Sequence, residues 1–119
     1  MAEYAPITKE HNWFIGEKKS FQYTIRNADG SAADISTWTL EWTLRPDAES
    51  PTVYIRKVST VGGEISKSDP VNGVCTVLIN PDDYDAVVGA GTFDKALKRT
   101  DGDNDTTLAF GEAVLQAAA

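Results

Sequence analysis

From Trp38 the chain alternates strictly between apolar and polar positions, with Trp38, Leu40, Trp42 and Leu44 on one side and Thr39, Glu41, Thr43 and Arg45 on the other. A period of two is that of a half-buried β-strand, in which successive side chains point to opposite faces. Each buried indole removes about 150 to 250 Å² from water, so Trp38 and Trp42 supply a large part of a small domain's core. Other strands must provide the opposing wall. The alternation recurs over residues 18–27, placing Phe21, Tyr23 and Ile25 inward and Gln22, Thr24 and Arg26 outward.

Residues 52–60 form a weaker strand, with Val53 and Ile55 on one face and Tyr54, Arg56 and Val58 on the other, a polarity suited to a sheet edge. The run Val74, Cys75, Thr76, Val77, Leu78, Ile79 is nearly continuous apolar, which predicts a central strand with Val77 and Ile79 in the core. Residues 91–100 and 106–116 predict a last hairpin, with Phe93 and Leu97 inward on its first strand and Leu108 and Phe110 inward on its second. Gly111 is expected to mark a bulge, because the apolar phase then shifts to Ala113 and Leu115. Turn chemistry punctuates these strands at Asp29-Gly30, between Pro46 and Pro51, and from Asp69-Pro70 to Asn72-Gly73. One short helix is expected near residues 81–88: Asn80 can cap it, Pro81 suits its first turn, Asp82, Asp83 and Asp85 favour its positive end, and Gly89 ends it. Strands about ten residues apart with turns between them predict an all-β fold, an antiparallel β-sandwich of about seven or eight short strands.

The ends break the pattern. Residues 1–12 have neither period and contain Pro6, so they read as an extended arm, followed by the sandwich over 13–116 and a tail of 117–119. Trp13, Phe14 and Ile15 are consecutive, so they cannot all enter the core from one strand. Together with Tyr4 and Ile7 of the arm they are the candidate interface residues, exposed aromatics being frequent partner sites.

The chain has 119 residues, enough for one domain with its own core, and its 41% hydrophobic and 24% charged content is ordinary for a globular protein. No apolar run reaches the length of a membrane span, and the start lacks the basic-then-apolar order of a signal peptide, so the expectation is a protein kept in a cytosol, without a membrane partner. A net charge of −7 disfavours a nucleic-acid partner, which draws on a positive surface. The single cysteine, Cys75, forbids an internal disulfide and sits as a small hydrophobe in its strand; the single histidine, His11, lies in the arm. Hydrolytic triads and zinc sites therefore lack raw material, and no Gly-rich phosphate cradle is present, so no catalytic residue and no cofactor is assigned.

Three clusters of charged residues are candidates for chemistry. Asp101, Asp103 and Asp105 fall at the first, third and fifth positions of a calcium loop, with Leu108 eighth and Glu112 twelfth. Thr106 stands where the sixth position wants glycine and the flanks read as strands, so a solvated hairpin tip is the plainer reading of these weak metal candidates. The acids of the helix candidate have a structural explanation in the helix dipole. Lys95, Lys98 and Arg99 form a small basic group, flanked by Asp94 and Asp101, read as a charge-decorated strand face.

The succession of Gly16-Glu17, the Phe21, Tyr23, Ile25 strand, Asp29-Gly30, Asp34-Ile35-Ser36, and Trp42 with Leu44-Arg45 continues through Gly73-Val74 and the corner of Ile79, Pro81 and Asp83. It closes with Gly91-Thr92-Phe93, Arg99-Thr100-Asp101, and Leu108 with Gly111. In this order the pieces resemble the immunoglobulin-like domains of tailed-bacteriophage virion proteins, such as the amino-terminal domain of phage baseplate upper proteins. Ala32, where such domains often have proline, and Lys95, where an aromatic is common, depart from the pattern. The resemblance implies an immunoglobulin-like sandwich and a non-enzymatic structural protein, made in the host bacterial cytoplasm and carried in the virion. As a free-standing version it would decorate the capsid or form part of neck, tail or baseplate. Its partners would be other phage structural proteins, including the major capsid protein, and further copies of itself. The alternative is a carbohydrate- or cell-surface-binding sandwich module, calcium-assisted through the loop from Asp101 to Glu112.

Overall fold

A computed structural model describes residues 8–47, 49–60, 62, 64–85, 87, 89–102 and 105–116, with side chains from residue 13 onward. Eight strands are present among them: β1 (Thr8–Phe14), β2 (Lys19–Thr24), β3 (Leu40–Arg45), β4 (Ile55–Val58), β5 (Ile65–Asp69), β6 (Val74–Ile79), β7 (Gly91–Arg99) and β8 (Thr106–Gln116). They form a five-stranded sheet in the order β1-β8-β7-β3-β4 and a three-stranded sheet in the order β2-β6-β5. This is an all-β sandwich, in which the chain passes from one sheet to the other after β1, β2, β4 and β6, while β3–β4, β5–β6 and β7–β8 each stay within one sheet.

The tryptophan strand lies where its pattern predicts. β3 is an inner strand, held by β7 on one side and β4 on the other. Trp42, Leu40 and Leu44 are fully buried, and Trp38, just before the strand, is buried too. The opposing wall is Phe21, Tyr23, Ile25, Cys75, Val77 and Ile79. Phe21 stacks on Trp42 with centroids 5.7 Å apart, and the Trp42 Nε1 donates to the Tyr23 hydroxyl at 3.1 Å. Ring stacking of Phe21 on Trp42 thus joins the two sheets at the centre of the core. Gly73 opens β6 with φ of 76°, and a Cβ on it would lie 2.3 Å from the Ile25 carbonyl oxygen, so glycine is required for this close crossing.

Six expectations are corrected. Residues 8–12 are not an arm: they belong to β1, which pairs with β8 in the one parallel ladder among the described residues, the other ladders being antiparallel. Trp13 is not an interface anchor but a fully buried core residue, edge-on to Phe21 at 5.1 Å. Phe14 and Ile15 are half-buried, and Tyr4 and Ile7 lie outside the described residues. The helix near residues 81–88 is a single 3-10 turn, Pro81–Tyr84. Asp83 turns back to accept the Asn80 amide at 2.6 Å, and Tyr84 is drawn into the core, so the turn is anchored rather than extended.

The bulge of the last hairpin falls at Leu108, not Gly111. Leu97 pairs with Ala109 and Lys98 with Thr107, leaving Leu108 as the extra residue. Leu108 and Ala109 are both buried and the phase reverses there, so Phe110 faces outward, half-exposed, instead of joining the core. Lys95 leaves the basic group by the same logic of alternation: it shares a face with Phe93 and Leu97, is buried, and sets its Nζ 5.1 Å from the Phe21 ring centroid.

Candidate protein-binding face

The outer face of the five-stranded sheet is built by ladder register. Residues directly opposite on neighbouring strands share a face, so Thr43, Ala96 and Phe110 form one row across β3, β7 and β8, with Arg56 of β4 at its end. On one side of it lies the row Arg45, Asp94, Glu112; on the other lies Glu41, Lys98, Thr107. The middle row is small at its centre and large at both ends, Arg56 and Phe110. A groove of about 250 Å³ follows, lined by Thr43, Arg45, Asp94, Ala96, Lys98, Thr107 and Phe110.

Phe110 is 50% exposed, the largest apolar side chain so exposed among the described residues. Covering the remaining half, about 100 Å² of an aromatic side chain, contributes about 2.5 kcal/mol to any complex at roughly 25 cal/mol per Å². Charge surrounds it. Arg56 meets Glu41 at 2.6 Å, Lys98 meets Asp105 at 3.3 Å, and Arg45 donates to the Ser50 carbonyl at 3.1 Å. Burial raises the Asp94 carboxyl above its ordinary range, Arg45 opposes this, and Glu49 and Asp47 add to it. An aromatic beside a groove and ringed by charge is the anatomy of a protein contact patch: an apolar centre with a polar rim.

The other candidates are not assembled into sites. The Asp101 carboxylate accepts from the Arg99 guanidinium at 2.9 Å and from the Thr39 amide at 3.1 Å, tying the β7–β8 hairpin to the entry of β3. Glu112 is paired with Asp94, five ladder steps from Arg99, which is about 17 Å along the strand. Asp101, Asp105 and Glu112 are therefore not brought together as a calcium loop would need, and Asp103 lies outside the described residues. Among the described residues no three His, Cys, Asp or Glu side chains could hold a metal ion. Burial pushes the Cys75 thiol up to about 11, the opposite of an activated nucleophile.

Two buried polar constellations escaped sequence reasoning. Lys57, buried on the inward face of β4 opposite Trp42, pairs with Asp83 at 2.7 Å and fastens the Pro81–Tyr84 turn to the edge strand. Trp13 Nε1 donates to the Tyr84 hydroxyl, which donates in turn to the Glu17 carbonyl at 2.7 Å. Burial raises the Tyr84 hydroxyl above the ordinary phenol range, against the opposing bond from Trp13. Period two already put Lys57 on the Ile55 face, and that was the available signal; nothing local joins Trp13 to a residue 71 positions away.

No protein-family model matches this sequence, and no curated protein compared with it matches.

Proposed function

We propose that this chain is a non-enzymatic structural protein of a tailed-phage particle, a capsid decoration subunit or a component of neck, tail or baseplate, which works by gripping other proteins. The observation that carries the reading is the half-exposed Phe110 beside its groove, on a sheet face otherwise occupied by charged and small side chains. The phage assignment draws on the sequence resemblance. Supporting it, the turn motifs of that resemblance sit at sandwich corners: Gly16 and Gly30 with φ of 90°, Gly73 at the head of β6, Pro81 and Asp83 between β6 and β7. Repetition at symmetric positions would multiply weak contacts by avidity.

The test is to mix the purified chain with particles that lack it and to measure occupancy. Saturable, stoichiometric occupancy is expected, reduced by Phe110→Asp. Binding on a glycan array without any occupancy of particles would replace this reading with the carbohydrate one.

A further inference from the structure

We propose that the outer face of the five-stranded sheet is the interface of a symmetric homodimer, whose two-fold axis runs along the row Arg56, Thr43, Ala96, Phe110. The inference goes beyond the particle reading and does not depend on it.

Two copies packed face to face through the same surface are related by a two-fold axis lying in the interface plane. For a sheet the axis has two simple directions, along the strands or across them. Across the strands, the row on one side of the axis meets the row on the other side of the partner, strand by strand. On β3, Arg45 then faces the partner's Glu41; on β7, Asp94 faces the partner's Lys98. Symmetry makes each contact twice. On β8, Glu112 faces the partner's Thr107, and on the axis Phe110 meets the partner's Phe110, with Ala96 and Thr43 leaving room between the sheets.

Along the strands, with the axis on β7, Asp94 would face the partner's Asp94 and Lys98 the partner's Lys98. Like charges directly opposed are unfavourable, which excludes an axis on β7; an axis between β3 and β7 would set Arg45 against the partner's Asp94 but would put Phe110 against the partner's Arg56 rather than its twin, and the charge-swap mixture below restores a dimer only in the first arrangement. Arg56 also lies on the axis, at the edge strand, where Glu41 neutralises it at 2.6 Å. Five strands spaced about 4.8 Å apart and about 25 Å long present roughly 600 Å² per copy, or about 1,200 Å² in total. That is the low end of specific interfaces, so the dimer is expected to be reversible.

Sedimentation equilibrium of the full chain over a wide concentration range tests this. The wild type is expected to approach twice the 12.9 kDa monomer mass. Phe110→Asp and, separately, Phe110→Ser should raise the dissociation constant about tenfold or more. Asp94→Lys and Lys98→Asp should each be monomeric alone, while an equimolar mixture of the two restores a dimer, because the facing pairs are then opposite in charge again. Circular dichroism melts confirm that each variant is folded. A wild type that stays monomeric, a dimer indifferent to both Phe110 variants, or a mixture that stays monomeric overturns the proposal. Monomeric wild type that still occupies particles would remove the dimer alone; a dimer that never occupies particles would remove the particle reading alone.

Discussion

Replacing Tyr84 by phenylalanine takes one oxygen from the core and leaves two groups without their partner. The Trp13 indole N–H loses its acceptor inside the core, and the Glu17 carbonyl loses its donor. An unsatisfied buried donor costs about 1 to 3 kcal/mol, and the second bond adds about 0.5 to 1.5 kcal/mol, so the variant should lose about 2 to 4 kcal/mol. At roughly 2.1 cal/mol/K of unfolding entropy per residue, a chain of this length changes by about 0.25 kcal/mol/K, which turns the loss into a fall in Tm of about 8 to 16 °C. A double-mutant cycle with Trp13→Phe isolates the indole contact: Tyr84→Phe should cost less in that background, with a coupling of about 0.5 to 3 kcal/mol. Because burial raises the folded pKa of Tyr84 above the ordinary phenol value of 10.0, the wild type is also expected to lose stability as pH rises above that value. Tyr84→Phe should not show this loss. Thermal melts at neutral pH and through the phenol range provide the assay. A Tm within about 2 °C of wild type, with no coupling to Trp13→Phe, would refute the claim that the amino-terminal tryptophan is locked into the core through this tyrosine.

Trp42→Ala should cost about 3 to 5 kcal/mol or abolish folding, as the stacked ring at the centre of the sandwich is lost; urea unfolding measures it, and a near-wild-type midpoint would show that the ring is not core. Asp83→Asn should cost about 3 kcal/mol by leaving the buried Lys57 ammonium unpaired, whereas Lys57→Met should cost clearly less; equal losses in urea unfolding would contradict the pairing. Bonding from Arg99, opposed by burial and aided by the Thr39 amide, holds Asp101 down to about 2 from the ordinary carboxyl value of 3.8. A depressed carboxyl stabilises the fold above its unfolded value and loses that stabilisation as pH falls through the folded one, so melts from about pH 5 to about pH 2 should fall more steeply for wild type than for Asp101→Asn.

The sandwich was legible where alternation is uninterrupted. The pattern from Trp38 to Arg45, and that of Phe21, Tyr23 and Ile25, each follow from a period of two with one face buried, and both hold in the structure. Legibility ends where register is decided by a neighbour. Phe110 carries the proposed contact, yet its orientation depends on an extra residue at Leu108, which shows only in the pairing of Leu97 with Ala109. Nothing in Leu108-Ala109-Phe110-Gly111 distinguishes a bulge at the first residue from one at the last. Trp13 misled for a related reason: three adjacent apolar residues obscure which face is inward until the parallel pairing with β8 sets Trp13 against Leu115. Lysines hide in the same way. Lys57 and Lys95 sit at inward positions of their strands, and only the opposing Asp83 and Phe21 show how each is accommodated.

The account's central claim is that the Phe110 face of the five-stranded sheet is where this protein meets other proteins. Electron cryomicroscopy, at side-chain resolution, of tailed-phage particles mixed with the purified chain tests it most directly. The prediction is a sandwich at repeated positions with Phe110 and Ala96 covered by a neighbouring polypeptide. A particle in which that face is turned to solvent, or from which the chain is missing, would contradict it.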